Sequence, residues 1–272
     1  MEKHEDFIPK SSLIEVFGLK PWLATIVMQL MKINKLNRFH KNKLVPYNDY
    51  PEMYRKALEK LNITVNFDTS FLHELKNQAF CTVSNHAFGF LDGTILLGYI
   101  GKERPIFKFT GNYILQKIKA SKDYVIPVNP FDERGKPKGM GGTNVALEWL
   151  ENGNVIGFFP AGEVATYYEG SKEITDRPWK KGVFKLIRMA QVPIVPIYFE
   201  GTNSRIFHIL GRIHTYVRTF LLIKEYFKKR GETISVRVGG IVYPETYNQY
   251  ASDEEMRDFF RKTVYSLKRK KK

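Results

Sequence analysis

The stretch Ala79-Phe80-Cys81-Thr82-Val83-Ser84-Asn85-His86-Ala87-Phe88-Gly89-Phe90-Leu91-Asp92-Gly93 decides the fold. Its first five residues are a short apolar run that reads as a buried strand. A glycine-containing turn follows, carrying one imidazole and one carboxylate, and residues 91–100 continue as an apolar helix. A histidine at a strand end with an aspartate a few residues on can act as a base and its orienter. The carboxylate fixes the tautomer and stabilises the imidazolium. An isolated histidine beside a glycine turn is more often a surface or capping residue, so a second motif is needed before the pair signifies chemistry.

Outward from this stretch, residues 63–67, 105–109, 124–128, 155–159, 192–199 and 233–238 read as further strands. Helical patterns over 47–61, 113–120, 143–151, 182–190, 215–229 and 253–267 separate them. Alternating strand and helix predict an α/β domain, a mixed, mostly parallel sheet flanked by helices, with its site at strand ends. Pro193 and Pro196 each remove a ladder donor, which places their strand at a sheet edge or at the mouth of a site. The organisation expected is a helical membrane-interface segment over 1–62, the α/β domain over 63–250, and a C-terminal helix with a basic tail over 251–272.

The chain has 272 residues, 43% of them hydrophobic and 14% aromatic, which is enough apolar surface to exclude a disordered protein. Its one cysteine, Cys81, lies in the apolar strand and reads as structural, and a reducing compartment is the simpler expectation. A formal net charge of +15 calls for an acidic partner: nucleic acid, an anionic membrane or an acidic carrier protein. The lysines are spread along the chain and cluster only in the Lys268-Arg269-Lys270-Lys271-Lys272 tail, with no nucleic-acid motif, so no nucleic acid is expected. No signal peptide or membrane-spanning run is evident. Near the N-terminus, Ser12 and Glu15 form a capping-box pattern, and Trp22, Ile26 and Leu30 stand among lysines. Such helices suit the plane of a membrane interface, and equally an amphipathic layer packed on the domain.

Phe159-Pro160-Ala161-Gly162-Glu163 is the second motif. A buried strand ending in a proline, two small residues and an acid lets backbone amides and one carboxylate approach a headgroup. The Lys136-Pro137-Lys138-Gly139-Met140-Gly141-Gly142 run lacks the ending of a phosphate loop and reads as a flexible basic loop. No metal-ligand spacing or nucleophile elbow is present.

Four ordered blocks carry a family resemblance: Asn85-His86 to Asp92-Gly93, Phe158 to Glu163, Trp179-Lys180-Lys181-Gly182, and Val192-Pro193-Ile194-Val195-Pro196-Ile197. Together they resemble the lysophospholipid acyltransferase superfamily, which includes the acylglycerol-phosphate acyltransferases. Within it, the Phe-Pro-Ala-Gly-Glu form and Gly201-Thr202-Asn203-Ser204 look most like the bacterial branch that acylates lyso-ornithine or lyso-glycine lipids. The resemblance implies transfer of a fatty acyl group from acyl carrier protein or coenzyme A to a lyso-lipid hydroxyl, with no cofactor. His86 would be the general base and Asp92 its orienter. Asn85, Ala87, Phe88 and Gly89, with Pro160, Ala161, Gly162 and Glu163, would bind substrate. A peripheral or monotopic place on the cytoplasmic face of the cell membrane would follow. The alternatives are an acylglycerol-phosphate acyltransferase making phosphatidic acid, and a non-catalytic basic module.

Three departures matter. Five residues, not the usual four, separate His86 from Asp92, so the looser turn must still bring the carboxylate to the ring. The block after Phe159 has no arginine, and Val128-Asn129-Pro130 stands where the glycerol-phosphate branch has another. Arginine is the natural fork for a phosphate, so its absence at both places favours a different headgroup.

Overall fold

The computed structural model describes residues 6–47, 50–112, 122–128, 140–167, 173–210 and 215–269. Its apolar runs form seven strands: β1 (Thr64–Phe67), β2 (Phe80–Ser84), β3 (Lys108–Asn112), β4 (Val125–Val128), β5 (Val155–Phe158), β6 (Ile194–Phe199) and β7 (Thr233–Val238). They make one sheet in the order β1-β7-β6-β2-β5-β3-β4. β6, β2, β5, β3 and β4 run parallel, β7 is antiparallel to β6, and β1 is parallel to β7. The mixed, mostly parallel sheet expected from the alternation is therefore present. Every residue of β2, β5 and β6 is buried, which is why these strands read as continuous apolar runs.

Twelve α-helices lie among the described residues: α1 (Lys10–Phe17), α2 (Pro21–Leu30), α3 (Ile33–Phe39), α4 (Tyr50–Lys60), α5 (Phe71–Glu74), α6 (Phe90–Glu103), α7 (Met140–Glu151), α8 (Lys181–Ala190), α9 (Arg205–Leu210), α10 (Thr215–Lys228), α11 (Pro244–Tyr247) and α12 (Asp253–Ser266). The period-2 alternation of the strands divides their side chains between two cores. Phe80, Val195 and Ile197 face one, with Ile95 of α6 and Tyr226 of α10. Cys81, Val83 and Ile194 face the other, with Leu150 of α7, Phe184 of α8 and Phe260 of α12. The N-terminal helices belong to the first core through Leu13, Ala24, Met28, Ile33 and Leu36. Apolar packing is thus continuous across residue 62, and α12 carries it across residue 250 through Met256 and Phe260.

Several local expectations are corrected. Of the two places that its prolines allowed, β6 is not at a sheet edge: it lies inside the sheet, between β7 and β2, and its carboxyl end reaches the edge where the loops after β2 and β5 emerge. Its even residues face β7: Ile194 exchanges hydrogen bonds with Val242, and the Pro196 carbonyl accepts from Gly239 N, just past the end of β7. Between Ile197↔Val238 and Ile194↔Val242 the pairing slips by one residue, so the missing Pro196 donor falls at a bulge in the ladder and costs little. The third strand begins at Lys108 rather than Pro105, since a turn closed by Phe107 N donating to Arg104 O occupies the earlier residues. Ser12 lies within α1, whose N-cap is Pro9, so the capping-box pattern does not open that helix. Met140 to Gly142 already belong to α7 rather than to the basic loop. The helix expected over 113–120, residues 136–139, Asn129, Pro130, Tyr168 and the tail residues Lys270, Lys271 and Lys272 lie outside the described residues.

Candidate active site

Three adjacent parallel strands deliver the site. Val83 is in register with Phe158 of β5, and Ser84 with Ile197 of β6, so the loops after β2, β5 and β6 emerge side by side at the carboxyl edge. The loop after β2 carries His86 and the loop after β5 carries Glu163. The loop after β6 carries Asn203, whose Nδ2 donates to the Phe88 carbonyl at 3.3 Å.

His86 Nδ1 lies 2.9 Å from Asp92 Oδ2, in spite of the five intervening residues. Gly89 makes this possible. Its φ of 82° and ψ of −110° reverse the chain into α6, with Gly89 as N-cap and Asp92 at the third helical position. From there Asp92 Oδ2 folds back to accept the backbone N–H groups of Phe88 and Gly89, both at 2.9 Å, besides the imidazole. The carboxylate thus caps its own helix, sits at the favourable end of the helix dipole and aligns the ring. Asp92 is fully buried and His86 is partly exposed. Phe159 stacks on the imidazole, with ring centroids 4.2 Å apart. With the Nδ1 proton directed at Asp92, Nε2 is left as the basic nitrogen.

The loop before α8 supports the same turn from beneath. Asp176 is fully buried, and its Oδ1 accepts the His86 backbone N–H at 3.1 Å. Its Oδ2 accepts from Trp179 Nε1 at 2.9 Å. Burial pushes the Asp176 carboxyl up to about 6, against the lowering effect of those two hydrogen bonds. The backbone N–H of Asp176 is in turn directed at the Tyr265 hydroxyl of α12. On the other side, Ala165 N donates to the His86 carbonyl at 2.7 Å.

Among the ten residues singled out from sequence, three reach solvent: His86, Gly162 and Glu163. Asn85, Ala87, Phe88, Gly89, Asp92, Pro160 and Ala161 are buried and shape the turns. Asn85 gives both ends of its amide to the Phe199 backbone, accepting from N at 2.7 Å and donating to O at 3.1 Å. It therefore splices the β2 loop onto the end of β6. Glu163 meets two cations: Arg177 Nε at 2.8 Å on Oε1, and Arg218 Nη2 at 2.6 Å on Oε2. Sequence reasoning assigned no role to Asp176, Arg177 or Arg218. Trp179 flagged the neighbourhood of the first two, but nothing local marks Arg218 of α10. Among the described residues, no group of three or more His, Cys, Asp or Glu side chains is placed to hold a metal ion.

A buried carboxylate aligning an accessible histidine at the edge of a parallel sheet is an arrangement that can do general-base chemistry. A family model described as Acyltransferase matches residues 51–271, and the chain belongs to that family of acyl-transferring enzymes. It is 28% identical over 207 residues, 72% of this chain and 71% of the relative, to the lyso-glycine lipid O-acyltransferase of Phocaeicola vulgatus. To the lyso-glycine lipid O-acyltransferase of Bacteroides thetaiotaomicron it is 26% identical over 206 residues, 71% of each chain. Its structure aligns with the 1-acyl-sn-glycerophosphate (LPA) acyltransferase PlsC of Thermotoga maritima over 97% of this chain and 95% of the other, at a TM-score of 0.46 and 16% identity.

Proposed function

We propose that this acyltransferase moves a fatty acyl group from an acyl thioester to the hydroxyl of a 3-hydroxyacyl amino acid, a lyso-glycine or lyso-ornithine lipid. The donor is the acyl thioester of acyl carrier protein or of coenzyme A, and no cofactor is needed. His86 Nε2 takes the proton of the acceptor hydroxyl while Asp92 stabilises the imidazolium. The oxygen attacks the thioester carbonyl, the tetrahedral intermediate collapses, and the departing sulfur takes the proton back from His86. The products are the ester and the free thiol. The observation that carries the chemistry is the 2.9 Å contact between His86 Nδ1 and Asp92 Oδ2. Relatives named for lyso-glycine lipid support the acceptor.

The test is transfer of radiolabelled acyl groups by purified enzyme to 3-hydroxyacyl-glycine, 3-hydroxyacyl-ornithine and lysophosphatidic acid, side by side. His86→Ala should lose about 10²- to 10⁴-fold in turnover. Near wild-type rates in that variant would remove the base assignment, and turnover of lysophosphatidic acid alone would remove the acceptor.

The same reading places the enzyme on the cytoplasmic face of the cell membrane. Trp22, Ile26 and Leu30 of α2 are four residues apart and 62%, 43% and 57% exposed, an apolar stripe left uncovered among the described residues. Met31, next along, packs beside Val164, Phe207 and Leu221, which brings the end of α2 to the loop after β5 and to α9. Ile206 and Ile209 of α9 are also exposed. Among the described residues, no helix is long and apolar enough to cross a membrane, and an interfacial seat requires none.

A further inference from the structure

The two arginines missing from the motif positions point to a different source of positive charge. We infer that Arg177 and Arg218 form the clamp that reads the acceptor's anionic headgroup, and that Glu163 is the positioning residue that aims them. The inference rests on the proposed acceptor, whose anionic group is the carboxylate of an N-acylated amino acid.

The charge count is the first support. Glu163 meets one guanidinium with each oxygen, at 2.8 Å and 2.6 Å, so one negative charge faces two positive ones. Among the described residues, the trio carries a net positive charge at a place where Glu163 alone would repel an acceptor carboxylate. Its exposure is graded. The Arg218 side chain is 8% exposed, Glu163 31% and Arg177 53%, so a partly desolvated cation lies behind an accessible one. Planar guanidinium forks held by a shared carboxylate are matched to a second carboxylate.

Connectivity to the base is the second support. Arg177 directly follows Asp176, whose carboxylate holds the His86 backbone N–H. Glu163 precedes Val164 and Ala165, and Ala165 N holds the His86 carbonyl at 2.7 Å. Arg218 lies one helical turn before Leu222. A Cβ at Gly89 would come within 2.7 Å of Leu222 and 2.9 Å of Val164, so both side chains press on the turn that carries His86. The three segments that carry Glu163, Arg177 and Arg218 therefore converge on the one turn that carries the base. An acceptor whose carboxylate enters the clamp is anchored at one end, and its hydroxyl is left for the imidazole.

The experiment compares 3-hydroxyacyl-glycine with its uncharged methyl ester, using wild type, Arg177→Gln and Arg218→Lys with the same acyl donor. Arg177 is half-exposed, so its variant keeps the fold, and the lysine variant keeps a cation at the buried position. The wild type should have the lower KM for the acid. Arg177→Gln should raise that KM about 10- to 100-fold, the loss of one charge-assisted hydrogen bond. The KM for the ester and both kcat values should stay within about twofold. Arg218→Lys should erode the same preference, because an ammonium cannot form the fork. An unchanged acid-to-ester preference in both variants would overturn the clamp. Turnover of lysophosphatidic acid with none of either hydroxyacyl-glycine compound would overturn the acceptor reading instead. The same variants would then be assayed on lysophosphatidic acid against uncharged monoacylglycerol. A preserved preference for the anion there overturns the clamp, and a collapsed one upholds it with phosphate as the group read.

Discussion

Asp92 does two jobs with one oxygen. Oδ2 accepts from Phe88 N, Gly89 N and the His86 ring, while Oδ1 is buried without a hydrogen-bond partner among the described residues. An asparagine can turn its carbonyl to the same three donors and place its NH₂ where Oδ1 lies. Asp92→Asn should therefore keep the fold and lose catalysis, because the imidazolium loses its counter-charge. Asp92→Ala should lose catalysis and also the cap, at about 0.5–2 kcal/mol. Single-turnover acyl transfer beside urea unfolding separates the two effects. Asp176 behaves differently. Its carboxyl is raised from 3.8 to about 6 by burial, so between those values the folded state holds more protons than the unfolded one. Its contribution to stability falls as pH rises through that window and is flat above it. Asp176→Asn should abolish that falling segment, seen by comparing urea unfolding of variant and wild type at pH 4.5 and 7. Asparagine offers one oxygen to two donors, His86 N and Trp179 Nε1, so the variant should also lose about 1–3 kcal/mol at neutral pH. The His86 and Asp92 pair was legible because both residues sit on one local turn. The role of Asp176 was not, since an acid 90 residues away marks itself only through burial.

α2 shows how an element can be read correctly in type and remain open in use. Its apolar content fits both a buried and an interfacial helix, and the fold divides it between them. Ala24 and Met28 are buried, whereas Trp22, Ile26 and Leu30 face outward. Because these three side chains support no core, Trp22→Asp with Ile26→Asp should leave thermal unfolding unchanged. Affinity for anionic phospholipid vesicles should fall about tenfold or more per residue, as each loses on the order of 1.5–3 kcal/mol of burial. Vesicle co-sedimentation reads this directly, and unchanged binding would remove α2 from the interface. β6 teaches the converse. Pro196 and the preceding Pro193 suggested an edge or the mouth of a site, and the strand is central with its carboxyl end beside the site, because what matters is which neighbour a proline nitrogen faces. At Pro196 that neighbour is Gly239, where the pairing slips by one residue before it resumes at Ile194 and Val242.

The whole molecule carries a formal net charge of +15, and a field of that size acts on any anionic surface or acidic carrier. Vesicle binding should therefore weaken steadily with added salt, with the Debye length shrinking from about 10 Å at 0.1 M to about 3 Å at 1 M. The apolar share of the binding, from the α2 stripe, should persist. Salt-insensitive binding would assign the attachment to the stripe alone. The α/β class, the parallel run of strands, and the pairing of His86 with Asp92 were all within reach of the amino-acid order, because each depends on spacing over a few residues. Apolar runs name buried strands, and the strand ends name the edge where chemistry gathers. The convergence of Arg177 and Arg218 on Glu163, the seat of Asp176 under the His86 backbone, and the interior place of β6 belonged to the folded chain alone. A charge in a folded chain declares its purpose through its partner, and the partners here lie 14, 55 and 90 residues away, beyond the range of any local pattern.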